Sequence, residues 1–432
     1  WGRKPSGSWA EALSQERGLP LWRCEDGFLR SLGSAAEEPS LSLVLDQQGI
    51  YYDATCPSEL DALLPKQLSE DQRLRATAVQ EQWCQSRLSK INHAQESPAP
   101  REPFVLVVDQ TPGDLSLIWG QASTNAFAEA LKAALANHPG CTVVVKVHPD
   151  VVAAAGAGHF SADQLADARI QLCSDGGHPT ALLEQAEAVY VVTSQLGFEA
   201  LLWNKPVHCF GRPFYAGWGL TCDQLSPPPW RGIALSLEQL IHASLITYPR
   251  YWDPVTEQPS EVETLMSHLA LQRQELLSRP ALLVACGMKR WKKPALRRFL
   301  RGPRGSNLLF RSRRTRQLPA GATAVVWGRP RRRPEGPCWQ LEDGFLRSVG
   351  LGANLIQPAS WVLDRSGIYY DATTPSDLET FLANHAFSAA ERRRAAAFRL
   401  DLLAAGLTKY NLQAEPWQRP PQAQGRKVRL VV

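Results

Sequence analysis

At 432 residues the chain is longer than one hydrophobic core usually supports, so two or three domains are expected. A 44% apolar and 21% charged composition, with no apolar run near the roughly 18 residues of a membrane span, excludes a disordered chain and an integral membrane protein. The net charge of +5 is mild but uneven, because no Asp or Glu occurs from Lys289 to Arg333, a stretch suited either to an anionic surface or to a solvated linker face.

The opening WGRKPSG has neither an initiator Met nor a signal-peptide pattern, and the chain reads as a window of something longer. Nine cysteines show no CxxC pair or regular spacing, which argues against a disulfide framework or structural zinc and for a reducing cytoplasm. Two segments recur almost unchanged. EDGFLRS at Glu25–Ser31 returns at Glu342–Ser348, and GIYYDAT at Gly49–Thr55 returns at Gly367–Thr373. WGR, VLD and LSKIN/LTKYN keep the same order around them, so the chain is a tandem duplication. The second copy is preceded by the strand and basic helix ALLVACGMKRWKKPALRRFL. Nothing equivalent precedes Trp1, and KVRLVV aligns with the VLVV before Asp109, so the second module is expected to be truncated.

In chain order, the expected divisions are a first lobe over 1–100, a nucleotide-binding lobe over 101–235, a helical return segment over 236–278, and a linker with the first lobe of module 2 over 279–432. In the first lobe, Glu25 and Asp26 follow the strand LPLWRC and precede Gly27, which permits a tight turn; one carboxyl can serve as acid or base, or the tripeptide is only a turn. Leucine- and alanine-rich helical stretches end at the Pro-rich connector QESPAPREP, read as a hinge.

Three apolar runs then end in chemically capable residues. FVLVV leads to Asp109, Gln110 and Asp114; VVVKVHPD ends with Lys146, His148 and Pro149; and AVYVVTS ends with Thr193 and Ser194. In an open α/β sheet, ligands bind outside the carboxyl ends of the strands, where these residues would stand. Asp114 follows a Thr-Pro-Gly turn and is either chemically active or a helix cap. Lys146 and His148, two apart on one strand face, can both donate to a phosphate. Thr193, Ser194 and the first amides of the next helix form an anion site. Glu199, about one and a half turns into that helix, could reach ribose hydroxyls or be a surface glutamate. The strand, helix, strand order is Rossmann-like.

Taken together, EDGFLRS, GIYYDAT, DQTPGD, KVHPD, VTSQLGFEALL and PFYAGWGL resemble the capsular polysaccharide synthesis proteins of the KpsC type, over essentially the whole chain. That family consists of dual-module transferases adding β-linked Kdo, an eight-carbon acidic sugar, to a lipid acceptor. The resemblance implies an α/β fold of GT-B type, with paired Rossmann-type lobes, and retaining transfer from CMP-Kdo. By motif it makes Asp114 the nucleophile and Glu25 the acid/base, with Asp26 as runner-up. His148, with Pro149 behind it, Thr193 and Ser194 would hold the CMP phosphate, with Lys146 and Gln110 supporting and Glu199 on the ribose. No cofactor, metal or nucleic acid is expected. The implied partners are the CMP-sugar donor and a lipid-linked glycan acceptor, with contact to the inner membrane from the cytoplasm and to capsule export machinery. The rival readings are an NDP-sugar transferase or epimerase, and a non-catalytic export scaffold.

Overall fold

The computed structural model describes the chain apart from residues 35–37, 148–157, 301–306, 388, 413–420, 422–424 and 426–432. It divides into two units, Trp1–Ser278 and Arg279–Val432.

Unit 1 begins with a 3-10 turn and the helix Ser8–Arg17, followed by two short strands, β1 (Arg23–Asp26) and β2 (Ser42–Asp46), which pair antiparallel with Glu25 opposite Val44. The helix Glu70–Gln85 follows, started by a capping box in which Ser69 and Gln72 satisfy each other's backbone amides. Its Ala76, Val79 and Trp83, at helical spacing, are buried in the lobe core.

The second lobe of unit 1 contributes β3 (Phe104–Val108), β4 (Thr142–Lys146), β5 (Ile170–Cys173), β6 (Val189–Val191), β7 (Val207–Cys209) and β8 (Cys222–Asp223). They form one parallel sheet in the order β5-β4-β3-β6-β7-β8. A parallel sheet covered on both faces needs strands that are apolar throughout, and FVLVV is buried at all five positions. Alternation sorts the side chains: Leu106, Val108 and Val144 join the core shared with the first lobe, while Val105, Val107, Val143 and Val145 pack against Phe127 and Ala130 of the helix Ala126–Asn137. The strand order reverses direction at β3, with β4 on one side and β6 on the other, which opens a crevice at their carboxyl ends.

The segment 236–278 is not simply helical. After the helix Leu237–Ile241 and a π-helical turn, TYPRYWDP forms β9 (Pro249–Asp253), which pairs antiparallel with β2 and is followed by β10 (Gln258–Ser260). Period-2 burial explains the strand, since Pro249 and Tyr251 point inward and Arg250 and Trp252 outward. The final helix Val262–Leu277 returns to the first lobe, where Glu263 pairs with Arg75 at 2.7 Å and buried Arg273 donates to the carbonyls of Asn92 and Ala94. The first-lobe sheet of unit 1, β1-β2-β9-β10, is therefore antiparallel rather than a Rossmann sheet.

Unit 2 supplies the parallel form. Its strands β11 (Leu283–Cys286), β12 (Leu308–Arg311), β13 (Thr323–Trp327), β14 (Cys338–Asp343) and β15 (Trp361–Asp364) take the order β12-β11-β13-β14-β15, parallel except for β15. The β14/β15 pair repeats β1/β2 in register, with Glu342 opposite Val362. The duplication is structural as well as textual.

Candidate functional site

The EDG turn is held by its own neighbours. A Cβ on Gly27 would collide with Ser42, whose hydroxyl donates to the carbonyl of Leu29, so only glycine fits between the turn and β2. Asp26 pairs with the buried Arg30 at 2.9 Å, and Arg30 also donates to Ser31 Oγ and to the carbonyl of Glu38. Glu25 faces the other way and lines a cavity of about 560 Å³ in unit 1. Its Oε1 accepts from the indole of Trp1 at 2.7 Å. The two adjacent carboxyls therefore differ in kind: Asp26 is tied to an arginine, whereas Glu25 is presented to the cavity.

Opposite them, at the carboxyl end of β3, Asp109 is buried, with Oδ1 accepting from the amide of Gln110 and from His159 at 2.8 Å. His159 stacks on Phe127 at 3.9 Å. Gln110 and Thr193 lock two loops together: Gln110 Oε1 accepts from the Thr193 amide at 2.9 Å, and Gln110 Nε2 lies 3.0 Å from Thr193 Oγ1, which also meets Ser116 Oγ at 2.9 Å. Both side chains are occupied in placing their neighbours. Asp114 lines the cavity and also caps the short helix Leu115–Trp119, its Oδ1 accepting from the Ser116 amide at 2.9 Å. Capping fixes the carboxylate's position while its second oxygen makes only a 3.5 Å contact with Gln110.

Ser194 lines the same cavity as the N-cap of the helix Gln195–Leu202, which directs the helix's first amides and positive dipole end toward it. Within that helix Glu199 is buried, which rules out the surface-glutamate reading. Its Oε1 accepts from the Lys90 amide and from Gln195 Nε2, both at 3.2 Å, while Oε2 has no partner. Burial raises its pKa to about 7, against the lowering effect of its hydrogen bonds. Lys146 reaches the rim, donating to the Gly177 carbonyl at 2.8 Å and to Ser97 Oγ at 3.2 Å. His148 and Pro149 lie outside the described residues.

Glu25, Asp114, Lys146, Thr193, Ser194 and Glu199 thus line one cavity. Sequence reasoning passed over His178, also in the lining, whose pKa is pushed down to about 2 by burial and nearby cations, so it is a neutral ring held by Thr180 and Asn92. It also missed Gln195, which crosses between lobes to donate to the Phe28 carbonyl at 2.7 Å, and the Asp109–His159 pair. The GGHP run before a helix was the available signal for His178; nothing local marks the other two. Among the described residues, no three His, Cys, Asp or Glu side chains group closely enough to hold a metal ion.

The chain matches the family described as capsule polysaccharide biosynthesis protein over residues 1–93, 70–251 and 331–414. The chain belongs to this family. It is 35% identical over 97% of its length to the capsule polysaccharide modification protein LipA of Neisseria meningitidis serogroup B, and spans 63% of that relative. Two solved structures from Thermosulfurimonas dismutans are similar. KpsC, beta Kdo 2,4 transferase, is 36% identical with a TM-score of 0.58, covering 62% of this chain and 85% of that one. KpsC, beta Kdo 2,7 transferase, is 31% identical with a TM-score of 0.50, covering 63% and 84%. The family matches fall on both units and bracket both EDG turns.

Proposed function

We propose that unit 1 is a glycosyltransferase that moves Kdo from CMP-Kdo to a lipid-linked glycan acceptor in capsule synthesis, with retention of anomeric configuration. The observation that carries this reading is the approach of Glu25, from one lobe, and of Asp114 and the Ser194 helix N-terminus, from the other, to a single cavity. The names of the two solved relatives, both Kdo transferases, support the choice of sugar.

In the proposed cycle the Asp114 carboxylate attacks the anomeric carbon as the bond to the CMP phosphate breaks. The departing phosphate carries the electron pair, and Ser194, the amides behind it and His148 stabilise its charge. The acceptor hydroxyl then displaces Asp114, giving its proton to Glu25; two inversions leave the configuration retained. Glu199 Oε2, buried and unpartnered, suits a ribose hydroxyl. Lys146, Gln110 and Thr193 act as positioning residues in this scheme. No helix among the described residues is long and apolar enough to cross a membrane, so approach to a lipid acceptor is assigned to peripheral contact through exposed arginines such as Arg313 and Arg331.

The test is incubation of the full chain with CMP-Kdo and a Kdo-primed acceptor, followed by product mass and linkage analysis. A β-linked Kdo added to the acceptor is expected. Transfer from a UDP-sugar instead, or CMP-Kdo turnover unaffected by excess CMP, would contradict the donor assignment.

A further inference from the structure

The repeated segments WGR, EDGFLRS and GIYYDAT meet at one point in each unit. In unit 1 the Gly2 amide donates to the carbonyl of Cys24 at 2.7 Å and the Arg3 amide to Tyr52 Oη at 2.8 Å, while the Arg3 side chain pairs with Asp53 at 2.7 Å. The chain turns there with Gly2 at φ +48°, and a Cβ on Gly2 would collide with Tyr52 Oη and Glu25 Oε2 together. The phenol and the second carboxylate oxygen therefore face each other across a glycine. Unit 2 repeats the arrangement. The Gly328 amide donates to the carbonyl of Leu341 at 2.8 Å, Arg329 pairs with Asp371 at 3.1 Å, and a Cβ on Gly328 would lie 2.8 Å from Tyr370 Oη and 3.5 Å from Glu342 Oε2.

What the two copies share picks out the tyrosine. Oε1 of each glutamate accepts from the next amide, that of Asp26 at 3.2 Å or Asp343 at 3.0 Å, and Oε2 is left on the side of the phenol. The Trp1 indole also reaches Glu25, whereas the ring of its counterpart Trp327 packs on Trp361 with centroids 5.5 Å apart, so the recurring neighbour is the phenol. Tyr52 Oη is buried and already accepts from Arg3, which leaves its own proton to give. Among the described residues no protein acceptor takes that proton at hydrogen-bond distance. Burial, and behind it the charges of Glu25 and Asp53, push this phenol up to about 12, so it keeps the proton at neutral pH. A carboxylate that must collect a proton late in a reaction needs such a donor: it fixes the group's rotation and favours the ionised form.

We propose that Tyr52 is a positioning residue of unit 1, whose hydroxyl donates to Glu25 Oε2 and holds that carboxylate ionised and turned into the cavity, and that Tyr370 does the same for Glu342. The consequence for catalysis rests on the reading of Glu25 as acid/base; the contact itself does not. The test has a kinetic and a chemical arm. Tyr52→Phe is expected to lower kcat for transfer from CMP-Kdo roughly tenfold and to leave the donor KM within about twofold. Added to Glu25→Gln, it is expected to cost less than about twofold more, because the residue through which it acts is already gone. Additive losses, or a raised KM with kcat intact, overturn the proposal. In the chemical arm the full chain and the variants Tyr52→Phe and Tyr370→Phe are treated briefly in mild acid with a water-soluble carbodiimide and glycinamide, and amidation of each glutamate is read by peptide mass spectrometry. Glu25 should be amidated roughly fivefold faster in Tyr52→Phe with Glu342 unchanged, and the reverse in Tyr370→Phe, since a carboxylate that loses a donor more readily takes up the proton the reagent needs. Equal amidation in parent and variants overturns the proposal. Amidation requires no turnover, so this contrast without any transfer counts against the unit 1 reading only, and transfer without the contrast counts against the tyrosine only.

Discussion

The turn Glu25–Ser31 in unit 1 and its copy Glu342–Ser348 in unit 2 share a strand register, an Asp–Arg pair at 2.9 and 2.8 Å, and a serine hydroxyl donating across the turn to the carbonyl of Leu29 or Leu346. Their surroundings differ. Phe28 is fully buried, its ring 4.6 Å from Phe214 and 5.7 Å from Phe198 of the second lobe, whereas Phe345 is 57% exposed. Glu25 shares a cavity with Asp114 and Ser194, while Glu342 faces lysines and aromatic rings. The turn is therefore a self-contained device that holds a glutamate at a strand end. Its chemistry depends on what a second lobe brings over it.

The sharpest break between the two copies is catalytic. Glu25→Gln should lower transfer by unit 1 on the order of 10²–10⁴-fold, the usual contribution of a positioned acid/base, with little change in donor affinity. Glu342→Gln should leave the same reaction essentially unchanged. Steady-state kinetics on both variants checks this, and equal losses would mean that the copies act on one reaction.

Packing gives the next contrast. Phe28→Ala empties a fully buried site between the lobes and should cost about 3–5 kcal/mol, whereas Phe345→Ala, on an exposed ring, should stay within about 0.5 kcal/mol. Denaturant unfolding followed separately for each unit would show it. A comparable cost at Phe345 would mean that another surface covers it in solution.

A smaller effect concerns the buried Glu199. Its folded pKa of about 7 lies above the ordinary value of 4.5, so the folded state prefers the protonated carboxyl. Its stabilising contribution is complete below about pH 4.5 and is lost as the pH rises through 7, an amount on the order of 3 kcal/mol. Glu199→Gln should lack that loss, so the variant should gain on the parent between pH 5 and pH 8 in thermal unfolding. Parallel stability curves would mean that Glu199 stays solvated.

Much of this was legible in the sequence. The apolar runs ending in polar residues locate the parallel sheet and its carboxyl edge, because burial on both faces demands continuous Val and Leu, and the repeated motifs disclose the duplication. Strand β9 was hidden because five residues between helical stretches become a strand only when β2 is there to pair with them. The burial of Glu199 was hidden for a similar reason: the Lys90 amide that it accepts from is 109 residues away. The hydrogen bonds between Gln110 and Thr193 were hidden too, because the two residues are 83 apart in the chain. Local pattern reports which residues reach an edge; only packing decides which of them are left free there.

The central claim is that Asp114 forms a bond to the sugar, and intact-protein mass spectrometry after exposure to CMP-Kdo tests it most directly. In Glu25→Gln the first displacement proceeds, since CMP leaves without needing a proton, but the acceptor step is slowed, so a species heavier by one Kdo residue should accumulate and map to Asp114. Asp114→Ala should give none. An adduct that persists without Asp114, or that maps to Asp26 or Asp109, would contradict the account.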